Sequence, residues 1–201
     1  MTTYTFDYPL FLWLNFDGGP FMDKLMLAIS TPAVWSWLYA LMFYMVWRKC
    51  GWRGLAYFVV MLGCALALSD MVAGIFKHTG LLKNLWASFP ARPRPMYTEE
   101  LEGLVHVVKK AGRYGTVSAH AATSLSIALI SSIFVRKWWF TSLMATMTIL
   151  ICYSRIYLAC HFPFDILLGL VLGACSVVIV FASVFAFKIV FDKNSFTNSK
   201  S

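Results

Sequence analysis

Five long apolar runs constrain this chain more than any other feature. Leu25 to Trp47 carries no charge, and Leu55 to Phe76 is interrupted only by Asp70. Ser118 to Val135, Trp138 to Tyr153 (with a continuation towards Ala159) and Phe164 to Phe187 complete the set. A helix needs about 20 apolar residues to cross the hydrocarbon core of a bilayer. Only helices and closed barrels satisfy their backbone there, and these runs are too long and continuous for barrel strands. The expected fold is therefore all-α, a helical membrane bundle of about five transmembrane helices. Composition agrees: 60% of the 201 residues are hydrophobic and 13% are charged, about half the charged share of a soluble domain.

No linker or internal repeat divides the chain, so residues 1–201 read as a single membrane-embedded domain. The N-terminus has Asp7 and Asp17 and no basic start, unlike a secretory signal. Its apolar part, Tyr8 to Phe16, is too short to span and fits an aromatic interfacial helix. The cysteines have no CxxC pairing, which indicates neither a disulfide framework nor a zinc site. The net charge of +8 is explained by basic residues at membrane edges, and there is no nucleic-acid motif.

The connections differ in kind. RKCGWR joins the first two spans and Arg136–Lys137 joins the third and fourth, both short and basic. Lys77 to Val117 is instead a long loop, a length that is usually functional. It is expected to be partly helical. Thr98 is placed to cap a helix that opens with Glu99, Glu100 and Glu102 and closes with Lys109 and Lys110, matching the helix dipole. Gly169 and Gly173 have the spacing of close helix packing within the bundle.

Counting crossings brings the polar residues together. Lys77 ends the second span and Ser118 to His120 begin the third, so they share a face. Two crossings later Arg155 returns to that face, followed by His161 and Asp165. The site face carries nine Lys/Arg (Lys24, Lys77, Lys83, Arg92, Arg94, Lys109, Lys110, Arg113, Arg155) and the other face eight (Arg48, Lys49, Arg53, Arg136, Lys137, Lys188, Lys193, Lys200). The eight lie in short loops and the tail, where the positive-inside rule operates. The site is therefore expected to face away from the cytoplasm.

These residue types suit a phosphate ester, which needs fixed donors, an in-line nucleophile and a proton for the leaving alkoxide. Arg94 and Arg155 offer planar forks and Lys77 a point charge. Ser118, Ala119 and His120 open a helix whose unpaired N–H groups favour an anion. Asp165, four residues after His161, can fix the imidazole tautomer and leave the other nitrogen to attack phosphorus. His120 can then protonate the leaving oxygen. The scheme requires no metal and no cofactor. His78 and His106 read as packed or interfacial histidines; Asp70, on the same helical face as Lys77, reads equally as a functional carboxylate or as a structural ion pair or hydrogen bond.

SRIYLACHFPFD (Ser154 to Asp165), SAH (Ser118 to His120) and Lys77 with Arg94–Pro95 resemble the three motifs of the type-2 phosphatidic acid phosphatase superfamily, over roughly residues 55 to 175. The resemblance implies that His161 forms a phosphohistidine oriented by Asp165, that His120 is the acid, and that Lys77, Arg94, Ser118 and Arg155 hold phosphate. Two departures stand out. Sixteen residues separate Lys77 from Arg94 where the family usually has six, so either the loop carries an insertion or Lys83 and Arg92 take part instead. Ala119 stands where Gly is usual and Val117 where Pro is, which predicts a helix start without positive φ.

The expected function is a lipid phosphatase of a bacterial envelope, acting on undecaprenyl diphosphate, a lipid A phosphate or phosphatidylglycerol phosphate at the periplasmic face of the inner membrane. Its partners would be the phosphorylated lipid and the bilayer. Two alternatives are an intramembrane serine protease using Ser118 and His161, and a non-catalytic binding protein or transporter for an anionic lipid. The protease leaves Arg94, Arg155 and Lys77 unexplained. A transporter would place its polar groups near mid-membrane rather than at one end.

Overall fold

The computed structural model describes residues 5–198, with side chains through residue 186. Lys200 lies outside the described residues, as do the side chains of Lys188 and Lys193. The fold is an all-α bundle. Helix α1 spans Tyr8–Leu14, α2 Gly19–Ile29, α3 Ser36–Phe76, α4 Ala119–Val135, α5 Trp138–Tyr157 and α6 Pro163–Asn198.

The first apolar run is not one helix. Pro32 lacks an N–H and disfavours helical backbone at the residue before it, and Thr31 is extended at φ −94°, ψ 121°. Leu25 to Ile29 therefore belong to α2, a 3-10 turn covers Pro32–Trp35, and the run resumes as α3. Within α3 the expected basic link narrows to one residue, Gly51, at φ 66°, ψ −173°, a conformation open essentially to glycine. The chain folds back there. Phe43 and Phe58 meet with ring centroids 5.8 Å apart, whereas a straight helix would separate them by about 22 Å.

Helix α4 is the centre of the bundle, packed against α3, α5 and α6. Beside Ile130 and Val135, its buried face holds Ala121, Ala122, Ser124, Ser126, Ala128 and Ser131, small residues that let neighbouring backbones approach. The expected close packing of Gly169 and Gly173 falls on this face. A Cβ on Gly169 would lie 2.5 Å from the Ser118 carbonyl oxygen, and one on Gly173 2.4 Å from that of Ala122. Ser126 Oγ adds polar contacts to Gly173 O and Ser69 Oγ, each 3.2 Å.

Outward faces are apolar: Val60, Ile149, Val178 and Phe185 are all more than 60% exposed. Pro32–Phe76, Trp138–Tyr157 and Pro163–Ala186 are long and apolar enough to cross a membrane, and Ala119–Val135 is a shorter apolar helix among them. The protein is an integral membrane protein. Helix α1 buries Tyr8 and Phe11 and exposes Leu10 and Trp13, as an interfacial helix does.

One expected element is absent. Residues 99–110 form no α-helix; the loop holds only 3-10 turns at Pro95–Tyr97 and Glu99–Leu101. Thr98 makes no cap because its hydroxyl donates to Arg94 O at 3.1 Å. Asn15 holds the loop elsewhere, accepting from His106 N at 2.8 Å and donating to His106 O at 3.1 Å and Tyr157 O at 2.7 Å. Tertiary ties to α1 and α5 override a favourable charge pattern.

Candidate active site

The turn from α5 to α6 presents His161. Ala159 adopts a left-handed φ of 53°, and the Arg155 carbonyl accepts from Cys160 N at 3.0 Å and His161 N at 3.2 Å. Pro163 then opens α6, a position where its missing N–H costs nothing. The imidazole is 2% exposed. Its Nδ1 lies 2.7 Å from Gly115 O. A carbonyl only accepts, so Nδ1 carries the proton and Nε2 keeps its lone pair. Burial first, then the charges of Arg155, Arg94 and Lys77, push the His161 pKa well below the ordinary histidine value, opposed by the Gly115 bond. The ring is neutral and its free nitrogen sits in the field of three cations.

Asp165 stands 3.7 Å from the same Nδ1. Its Oδ2 accepts from Phe162 N at 3.0 Å, the reach of an N3 acid back to the N-cap. The direct hydrogen-bond partner of the ring is thus Gly115, with the carboxylate behind it. Gly115 is held by a short antiparallel pairing, in which Arg94 N donates to Arg113 O and Gly115 N to Arg92 O, each 2.9 Å. A side chain there would collide: its Cβ would lie 2.8 Å from Arg94 Cγ and 3.4 Å from His161 Nδ1.

The same pairing brings Arg94 to the histidines, with Nε donating to Tyr114 O at 3.0 Å to orient the fork. Burial first, then the Arg94 charge, lowers the Lys77 pKa to about 8, while Asp70 opposes. Lys77 and Arg94 therefore lie within electrostatic range of each other across the long loop. His120 lies within electrostatic range of Arg155, Lys77 and Arg94. Ser118 caps α4, its hydroxyl accepting from Ala121 N at 3.4 Å, and its own N–H donates to Asp165 O at 3.1 Å. Ala119 begins the helix without a positive φ, as expected. Among the described hydrogen bonds, the N–H groups of Ala119 and His120 have no partner, as the first turn of a helix leaves them. Arg155 Nη1 donates to Ser30 Oγ, while its buried Nε has no partner. A cavity of about 330 Å³ opens onto His120 and Arg155 and is walled by Ser30, Thr31, Lys109 and Lys110.

Other residues stay outside this group. Lys83 is exposed on the loop. Arg92 does not join the three cations but pairs with Asp7 and Asp165 behind His161. His78 bonds Phe89 O at 2.9 Å, and His106 bonds Asp23 at 2.8 Å, beneath Tyr157. Asp17, Asp23 and His106 form a group whose atoms are close enough to hold a cation; it shares no residue with the site. Gly115, Asp7 and Ser30 were not foreseen. A backbone carbonyl carries no residue signature, and Asp7 is separated from Arg92 by all of the first three helices.

A membrane bundle with a buried neutral histidine facing three cations defines a class. A family model described as the PAP2 superfamily matches residues 54–189, more than half the chain, and the chain belongs to that family. It is a phosphatase. A lipid A 4'-phosphatase of Bacteroides thetaiotaomicron is 27% identical over 83% of this chain and 72% of its own. A second protein of that name, from Porphyromonas gingivalis, is 30% identical over 82% of this chain and 66% of its own. Among solved structures, that of Aquifex aeolicus LpxE is similar in fold, with a TM-score of 0.66 and 22% identity, covering 88% of this chain and 94% of that one.

Proposed function

We propose that this phosphatase hydrolyses a phosphate of lipid A, or of a closely similar envelope lipid, through a phosphohistidine on His161. The observation that carries the reading is the Gly115 hydrogen bond, which leaves His161 Nε2 unprotonated beside Arg94, Arg155 and Lys77. Those cations, with the N–H groups opening α4, hold the phosphoryl oxygens. Nε2 attacks phosphorus as the bond to the lipid oxygen breaks, and His120 donates a proton to that oxygen. Water, giving its proton to His120, then attacks the phosphohistidine and releases inorganic phosphate. Asp165 stabilises the charge on the ring. No metal takes part in these steps.

Lipid A takes precedence over undecaprenyl diphosphate and phosphatidylglycerol phosphate because two relatives bear the name lipid A 4'-phosphatase. The chain crosses the inner membrane five times, and its site opens to the periplasm, since the short basic links lie at the opposite end. The serine-protease reading loses ground because the Ser118 hydroxyl is engaged as a helix cap.

The test is phosphate release by detergent-purified protein in excess chelator, across the three lipids, with His161→Ala beside it. Lipid A phosphate is expected to be the best substrate, and His161→Ala to lose at least about 10³-fold in kcat, as removal of a nucleophile does. No release from any lipid would move the reading to a non-catalytic anionic-lipid binder. Release by the variant at the wild-type rate would remove His161 from the nucleophile role.

A further inference from the structure

Asp7 lies outside the residues that the family model matches, yet it reaches the back of the site. Its carboxylate grips Arg92 with both oxygens, Oδ1 to Nη2 at 2.6 Å and Oδ2 to Nη1 at 3.1 Å. Arg92 Nη1 is in turn 3.5 Å from Asp165 Oδ1. All three side chains are buried, at 4%, 5% and 1% exposure for Asp7, Arg92 and Asp165. The guanidinium lies 3.7 Å over the Phe162 ring, which stacks on Tyr8 at 5.0 Å. Asp7 Oδ2 also accepts from Phe164 N at 3.1 Å, while Asp165 accepts from Phe162 N. The first turn of α6, which carries Asp165, is bracketed by two carboxylates with one arginine between them.

A buried ion pair is a poor source of stability, because desolvation offsets its attraction. Its geometry is more informative. Asp7 grips both Nη atoms of Arg92, at 2.6 and 3.1 Å, and so sets where the guanidinium meets Asp165 at 3.5 Å. The Asp165 carboxyl held in this way lies on the Nδ1 side of His161. When Nε2 bonds phosphorus, the ring becomes cationic, and a fixed negative charge behind it lowers the energy of that state. The cations on the Nε2 side act on the phosphoryl oxygens, so the two sets of charges serve opposite ends of one displacement.

We propose that Asp7 is a positioning residue of the reaction, acting through Arg92 to hold Asp165 behind His161. The inference rests on His161 being the nucleophile. It makes the N-terminal segment part of the active site rather than only a membrane anchor.

Asp7→Asn separates this role from a structural one, because the amide oxygen still accepts from Phe164 N while the charge is lost. Full-length Asp7→Asn, Arg92→Met and the double variant are assayed with purified lipid A bisphosphate in detergent micelles, with thermal unfolding measured in parallel. Asp7→Asn is expected to lower kcat about tenfold or more, as loss of one transition-state electrostatic contact does, with KM changed less than about twofold. In the Arg92→Met background the same change is expected to have no further effect, since Asp7 acts through Arg92. Asp7→Glu, which keeps the charge, is expected to recover most of the rate. Wild-type kcat in Asp7→Asn, or a full additive loss in the double variant, would overturn the proposal. So would failure of Asp7→Asn to fold beside a normal Asp7→Glu with unchanged kinetics, which would make Asp7 a folding residue. The underlying reading fails separately: wild type would then release no phosphate, or His161→Ala would stay active. A dead His161→Ala with an unaffected Asp7→Asn defeats this inference alone.

Discussion

At the residue scale, Lys77 connects charge to pH. Its pKa is lowered to about 8, chiefly by burial and then by Arg94. A cation that holds phosphate must be protonated, so kcat/KM is expected to fall as pH rises through about 8 and to be flat just below it. Lys77→Arg keeps its charge far into the alkaline range, and the falling limb is expected to move up by more than a unit. A limb that stays in place in the variant would take Lys77 out of the phosphate cradle. Gly115→Ala tests the neighbouring contact. Its Cβ would press on Arg94 Cγ at 2.8 Å, and a displacement of that kind costs about 10²-fold in rate; kcat at saturating lipid reads it. The types and spacing of His161, Arg155 and Lys77 were legible in the sequence because charged and titratable side chains are rare in apolar runs. The Gly115 contact was not, because every residue offers a carbonyl and only the fold selects which one meets the ring.

Elements carry the site by fixing where their ends fall. Helix α4 presents Ser118 to His120 because α6 lies close against it at Gly169 and Gly173. Gly173→Ala is expected to destabilise the protein by about 1–3 kcal/mol through overpacking, seen as a lowered unfolding midpoint in detergent with residual activity at low temperature. Asn15 acts at the other side of the site, tying the long loop to the end of α5. Asn15→Ala would leave His106 N and the Tyr157 carbonyl without that partner, at a cost of about 1–3 kcal/mol per buried group. Faster proteolysis within residues 99–113 is the expected readout; a cleavage rate equal to wild type would contradict it. The apolar runs gave away most helices, and α5 and α6 begin within a residue of where those runs do. The breaks were less legible. Pro32 interrupts a run that hydropathy alone reads as continuous, and the charge pattern of Glu99 to Lys110 gives no helix because Asn15 and the Arg94 carbonyl claim its polar groups.

Across the whole molecule, the bundle turns distant segments into one face. Lys77, Arg94, His120 and the stretch from Arg155 to His161 lie on separate segments of the chain and meet at one end of the bundle. That convergence could be read by counting helices, because a membrane allows a chain only two sides. The contribution of the N-terminal segment could not: Asp7 meets Arg92 across a separation that no periodicity encodes. The phosphohistidine is best sought by rapid quenching of the full-length protein during turnover of ³²P-labelled lipid A. Acid-labile, base-stable label on the enzyme is expected, mapping to the peptide that contains His161 and missing from His161→Ala. Label on Ser118, or undiminished turnover with no labelled enzyme at any quench time, would contradict it.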